Sequence, residues 1–133
     1  MTPEETMMVK LLTDRSDVFN YVVEHLRKQG CQSLSGEIGE DNCAYRGDGG
    51  TMCAVGVLIS NDEYKPSWEG SSIYHLIEAD LLPSGLKQRI KPNLEMLLDL
   101  QGFHDDNLKY VDGAFTEDSE FHINDLREKW GIE

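Results

Sequence analysis

Apolar residues recur along this chain at helical spacing in several separate blocks. The clearest block follows Ser16, a good N-cap with Asp17 in the first turn, and carries Val18, Phe19, Val22, Val23 and Leu26 on one face. Arg27 and Lys28 suit the negative end of that helix, and Gly30 supplies a stop. Upstream, Thr2, Pro3, Glu4 and Glu5 read as another helix start, with proline at a tolerated first position. A third helix is expected from Ser71 or Ser72, carrying Ile73, Leu76, Ile77 and Leu81 before Pro83. Pro92 opens a fourth, with Leu94, Leu97, Leu98 and Leu100 buried and Gly102 near its end. The last begins near Asp118 or Ser119 and presents Ile123, Leu126 and Trp130 on one face.

Between these blocks the pattern changes. Residues 31–42 are polar and contain glycine, hence loop. Gly47 to Gly50 then read as the turn of a hairpin that sets Arg46 opposite Thr51, Tyr45 opposite Met52 and Ala44 opposite Cys53. The run Ala54 to Ile59 is short, and a Gly-rich turn feeding small residues favours a short helix there. The expected fold is mainly α: a compact bundle of four to six helices with one small β-hairpin, as a single domain over residues 1–133.

Composition narrows the function classes. A hydrophobic fraction of 39% and a charged fraction of 28% are those of a globular domain. No stretch approaches the length of a membrane span, and the acidic opening MTPEETMMVK lacks the pattern of a secretion signal, so a cytoplasmic location is expected. Three cysteines, Cys31, Cys43 and Cys53, then read as reduced thiols, although a hairpin could bring Cys43 and Cys53 together. The formal charge is −13, from 25 acidic and 12 basic residues. Such a field repels phosphate backbones, and Lys87, Arg89 and Lys91 alone make a poor phosphate groove. Direct nucleic-acid binding is not expected; a basic protein partner is.

Candidate chemistry centres on residues 43–70 and on His104. Cys53 follows a Gly-rich turn, where a helix N-terminus would favour a thiolate, with His104 as base and Asp105 orienting the imidazole. Against this, a cysteine beside Ala54 and Val55 usually behaves as a small core hydrophobe, and neighbouring helical residues point apart. Cys43, Cys53, His104 and either His75 or Asp105 could be metal ligands, but no closely spaced Cys or His pair marks a site, so no metal or cofactor is expected. The other histidines, His25, His75 and His122, are too scattered to extend a phosphohydrolase-type pair of His104 with Asp105 or Asp106. Residues 105–116 lack calcium-loop spacing, and Gly47 to Gly50 lacks the ending of a phosphate loop. The Arg46-Gly47-Asp48 tripeptide serves the turn.

Tyr45, Arg46, Asp62, Tyr64, Trp68 and Glu69 combine the residue types enriched at binding hot spots. Alternatively, Arg46 is an internal clamp that pairs with Asp62 or Glu69 and fixes the loop on the hairpin.

The same stretch carries a family pattern: Cys43-x-Tyr45-Arg46, a turn containing Gly49, Cys53-Ala54-x-Gly56-x-Leu58-Ile59, Asp62-Glu63-Tyr64 and Glu69-Gly70. Leu26, Gln29 and Gly30 close the amphipathic helix before it, and Leu100, Gln101, His104 and Asp105 follow downstream. This resembles a family of small, uncharacterised proteins of phages and some bacteria. The resemblance runs from about Ser16 to the C-terminal helix and departs at Ser60-Asn61, where the family carries a proline. It implies a phage origin, hence the host cytoplasm, and no particular activity. The expected function is therefore that of a small acidic accessory protein. It would bind a host or phage protein without catalysis, for instance inhibiting a nucleic-acid-binding host protein by charge mimicry. A small cysteine-dependent or metal-assisted hydrolase is the alternative.

Overall fold

A computed structural model describes residues 1–35 and 42–132; of Ser35, Asn42 and Cys43 only the backbone is considered. Helix α1 (Pro3–Leu11) opens with a capping box: the Thr2 hydroxyl accepts from Glu5 N–H and Thr2 N–H donates to Glu5 Oε1, both at 3.1 Å. Helix α2 (Arg15–Gln29) buries Val18, Phe19, Val22, Val23 and Leu26. Its cap is Asp14 rather than Ser16, because the Asp14 carboxylate accepts from both Ser16 N–H and Asp17 N–H. Gly30 ends it in the left-handed conformation, at φ 73°.

The first hairpin lies earlier in the chain than expected. Strands β1 (Leu34–Ser35) and β2 (Asn42–Cys43) pair antiparallel, with Leu34 opposite Cys43. The segment expected to be loop, residues 31–42, thus supplies β1 and the first residue of β2. Gly47 to Gly50 does turn the chain, with Gly47 N–H donating to Thr51 O at 2.9 Å. However, its flanks do not pair as strands, because side chains have taken their backbone donors. Tyr45 N–H and Arg46 N–H donate to Glu69, and Met52 N–H donates to Gln29. The run Ala54–Ile59 forms a single 3-10 turn (Gly56–Leu58) rather than a longer helix.

A second ladder pairs β3 (Tyr110–Val111) with β4 (Ala114–Phe115) across Asp112 and Gly113, both at positive φ. That dipeptide at that conformation is the standard two-residue hairpin turn.

The C-terminal half is helical. Helix α3 (Ile73–Glu78) is capped by Ser72, α4 (Ser84–Ile90) follows, and a 3-10 turn through Pro92 feeds α5 (Leu94–Gly102). A π-helical turn (Phe103–Asn107) extends α5, and α6 (Glu117–Lys129) starts from a Thr116 cap. Leu81 lies beyond the end of α3 and is exposed, as is Leu98 on the outer side of α5. Four leucines within seven residues cannot share one helix face, so Leu97 and Leu100 take the core and Leu98 does not. One apolar cluster joins residues from Val18 to Ile132. The architecture is the expected mainly α bundle with small antiparallel ladders. Among the described residues, no helix is long and apolar enough to cross a membrane.

Candidate functional site

Every residue from Thr51 to Ser60 is buried, yet the stretch is mostly irregular. Buried backbone outside helices and sheets must find its hydrogen-bond partners elsewhere. Here local backbone bonds serve Val57, Leu58 and Ile59, and side chains, several of them from distant elements, serve others. From the end of α2, Gln29 accepts Met52 N–H at 2.7 Å and donates to Met52 O at 3.0 Å. From α5, Gln101 accepts Val55 N–H at 3.1 Å. Cys53 Sγ accepts Gly56 N–H at 3.3 Å.

Two arginines take the carbonyls. Arg46 donates through Nη1 to Gly56 O (2.8 Å) and Tyr45 O (3.3 Å), and through Nη2 to Ile59 O (2.5 Å) and Asn61 Oδ1 (3.3 Å). Arg89, 3% exposed, donates to Leu58 O at 2.7 Å and grips Glu63 through both Nη atoms at 2.9 and 3.3 Å. Glu63 in turn accepts from Ser60 N–H and Ser60 Oγ. Burial pushes the Glu63 carboxyl up, but the Arg89 guanidinium and the Ser60 donors outweigh it, so the group sits below its ordinary value.

Arg46 is therefore a clamp, but its partners are main-chain carbonyls and not the expected Asp62 or Glu69. Asp62 points outward to Lys10 at 2.7 Å, and this bond together with Ser60 holds its carboxyl at about 2. Glu69 accepts Tyr45 N–H and Arg46 N–H, both at 3.0 Å, and the Tyr64 hydroxyl at 2.6 Å. The Arg46 guanidinium lies 5.0 Å from the Tyr64 ring centroid, and Trp68 meets Tyr64 edge-to-face within the core. Burial and the Glu69 carboxylate push the Tyr64 hydroxyl up to about 12. Tyr45 is buried and donates to Ser71 O. Of the six candidate binding residues, Asp62 is the one on the open surface; Tyr45 and Trp68 are core, and Arg46, Tyr64 and Glu69 hold the loop. Gly56 permits this packing, since a Cβ there would stand 2.3 Å from Tyr45 O.

The catalytic candidates are occupied in the same way. Cys53 is a free thiol, 2% exposed, and burial pushes it up to about 12. Buried His104 accepts Ser33 N–H at Nε2 (3.0 Å), which leaves the proton on Nδ1, and Nδ1 donates to Asp105 Oδ1 at 2.8 Å. These neighbours meet within the π-helical turn that follows α5. The imidazole nitrogens thus join Ser33 to Asp105. Asp105 also accepts from Gln101 at 2.8 Å. A shallow cleft of about 260 Å3 lies over this region, with Tyr45, Cys53, Gln101 and Asp105 in its wall. Among the described residues, no three His, Cys, Asp or Glu side chains converge to hold a metal ion.

Sequence reasoning missed Arg89, Gln29 and Gln101 as site residues. Arg89 read as part of a surface basic cluster; its position beside Leu86 and Ile90 on the apolar face of α4 was the available signal. The two glutamines bore no mark beyond the family pattern.

The residues of that pattern, Gln29, Arg46, Gln101 and His104 among them, thus hold irregular backbone in place. Comparison of the chain with family models, with curated proteins and with solved structures found no match.

Proposed function

We propose that this chain is a small acidic accessory protein, phage-encoded, that works by binding a cationic protein partner without catalysis. One observation carries the reading: its polar chemistry is largely spent inward, while most of its described carboxylates, Glu63 and Glu69 apart, face out. Arg46 and Arg89 are committed to the buried loop. Lys10, Arg27, Lys87 and Lys129 each sit against one carboxylate, and Arg127 donates to Asn20. Against them stand 25 acidic residues, and α6 alone exposes Glu117, Asp118, Asp125 and Glu128. Such a surface steers basic partners and repels nucleic acid, and it supports a charge-mimicry mode in which carboxylates occupy a basic nucleic-acid groove. The hydrolase alternative has less support, because Cys53 is buried and His104 has its ring nitrogens engaged elsewhere.

The test is retention of host proteins on the immobilised chain across a salt series, with duplex DNA as competitor. Retention should fall steeply with salt, and DNA should displace the chain from its partner. Retention that ignores both salt and DNA refutes the mimicry.

A further inference from the structure

The groove between α1 and α2 differs from the rest of the surface. It is an open groove of about 570 Å3, within the size range of ligand clefts, and is lined by residues at helical spacing on both walls. Met8 and Leu12 line it from α1, and Tyr21 from α2. Around them stand Glu5, Asp17 and Glu24, against the single lysine Lys28. Helix α1 buries only Val9. Met8 is 53% exposed, and Leu11 beside it is 79% exposed, the most exposed large apolar side chain among the described residues. A methionine-containing apolar floor with a carboxylate rim is adaptable in shape and one-signed in charge.

We propose that this groove docks a basic amphipathic helix of a partner protein, its apolar face on Met8, Leu12 and Tyr21 and its lysines or arginines on Glu5, Asp17 and Glu24. The proposal rests on the reading above that the partner is cationic, and it names the surface and the recognised chemistry. An amphipathic helix presents apolar anchors at positions i, i+3 or i+4 and i+7, which suits a trough walled by two helices. Charge selects this occupant. A second copy of the chain would bring its own −13 onto the same carboxylates, and an anionic lipid surface would meet them with like charge.

The experiment uses the full chain and a synthetic helical peptide of about 18 residues, five turns long, with leucines on one face and lysines on the other. A scrambled peptide of the same composition is the control. Titrations followed by backbone amide shifts should show the amphipathic peptide binding at least about tenfold tighter than the scrambled one, with shifts confined to α1 and α2. Met8→Ser, at an exposed position, should weaken the amphipathic peptide about tenfold and leave the scrambled one unchanged. The unmodified chain should stay monomeric in sedimentation and should not bind anionic phosphatidylserine vesicles.

Equal, salt-sensitive binding of both peptides with shifts elsewhere overturns the groove and leaves the cationic-partner reading standing. Failure of both peptides to bind at low salt overturns the two together. Self-association through α1, or vesicle binding lost in Met8→Ser, also overturns the proposal. Should Met8→Ser melt early, the map of amide shifts in the unmodified chain still decides.

Discussion

Arg46→Lys against Arg46→Ala separates a clamp from a surface hot spot. In the folded chain the two Nη atoms reach Gly56 O and Ile59 O, two carbonyls at opposite ends of one 3-10 turn. Removing the guanidinium leaves Ile59 O without its donor, at a cost of about 1–3 kcal/mol, while Gly56 O keeps the bond it accepts from Ile59 N–H. Arg46 is only half-buried, so water replaces part of the loss. The stacking on Tyr64, worth about 0.5–1 kcal/mol, disappears as well. Arg46→Ala should therefore lose about 2–3 kcal/mol, a large share of the roughly 5–15 kcal/mol that holds a domain folded. A lysine keeps the charge but brings a single ammonium with no planar fork, so it cannot serve both carbonyls and the loss should be about 1 kcal/mol. Urea unfolding followed by the fluorescence of buried Trp68 measures both. With a slope near 2 kcal/mol per molar, the midpoints should fall by about 1–1.5 M and about 0.5 M respectively. If Arg46→Lys unfolds with the wild-type midpoint, charge alone suffices and the bidentate clamp is wrong. If Arg46→Ala does too, the arginine has no structural role.

Gly56→Ala should destabilise by about 1–3 kcal/mol or more, because the added methyl meets the Tyr45 carbonyl and not a movable side-chain end; a wild-type thermal midpoint would contradict the close approach. Iodoacetamide at mildly alkaline pH should label exposed Cys31 and spare Cys53 in the folded chain, as peptide mass spectrometry can show, and rapid native labelling of Cys53 would refute a thiol pushed up to about 12. The Glu63 carboxyl lies below its ordinary 4.5 when folded, so its stabilisation is complete above that value and is lost as pH falls through the lower folded one. Glu63→Gln should thus be less stable at neutral pH and lose less on acidification, as urea midpoints against pH would report; parallel curves would rule the linkage out. Burial depresses His25 below 6.5, so the neutral ring favours folding and stability should decline as pH falls below that value, a slope that His25→Gln removes.

The helices were legible where one local rule sufficed. Thr2 and Glu5 make their capping box, the face of Val18 to Leu26 is buried as its spacing requires, and Ser72 caps α3. Helix α4 was hidden because Lys87, Arg89 and Lys91 drew attention as charge, whereas Arg89 points into the core. The β3–β4 hairpin has its mark in the Asp112-Gly113 pair, a two-residue turn signal inside a stretch whose many acids dominate its pattern. Placement of the first hairpin could not follow from local rules at all. Its expected strands lost their donors to Gln29 and Glu69, each some 23 or 24 residues away in sequence, and long-range competition of that kind leaves no periodic trace. For the site, the tie between Arg46 and the loop was legible, but its carbonyl partners were not, since carbonyls are common to every residue.

The manner in which Thr51–Ser60 is held reverses the usual ranking of local order. Loops normally exchange their amide protons long before helices do. Here Met52, Val55 and Ser60 donate to side chains rooted in α2, in α5 and in the following loop, and Arg46 and Arg89 lock the intervening carbonyls. Freeing Met52 or Val55 requires the loop to part from α2 or α5, and the carbonyl locks of Arg46 and Arg89 resist that movement. The slowest deuterium uptake in the molecule should therefore fall in a stretch with scarcely any regular structure, while the lightly packed α1 takes up label first.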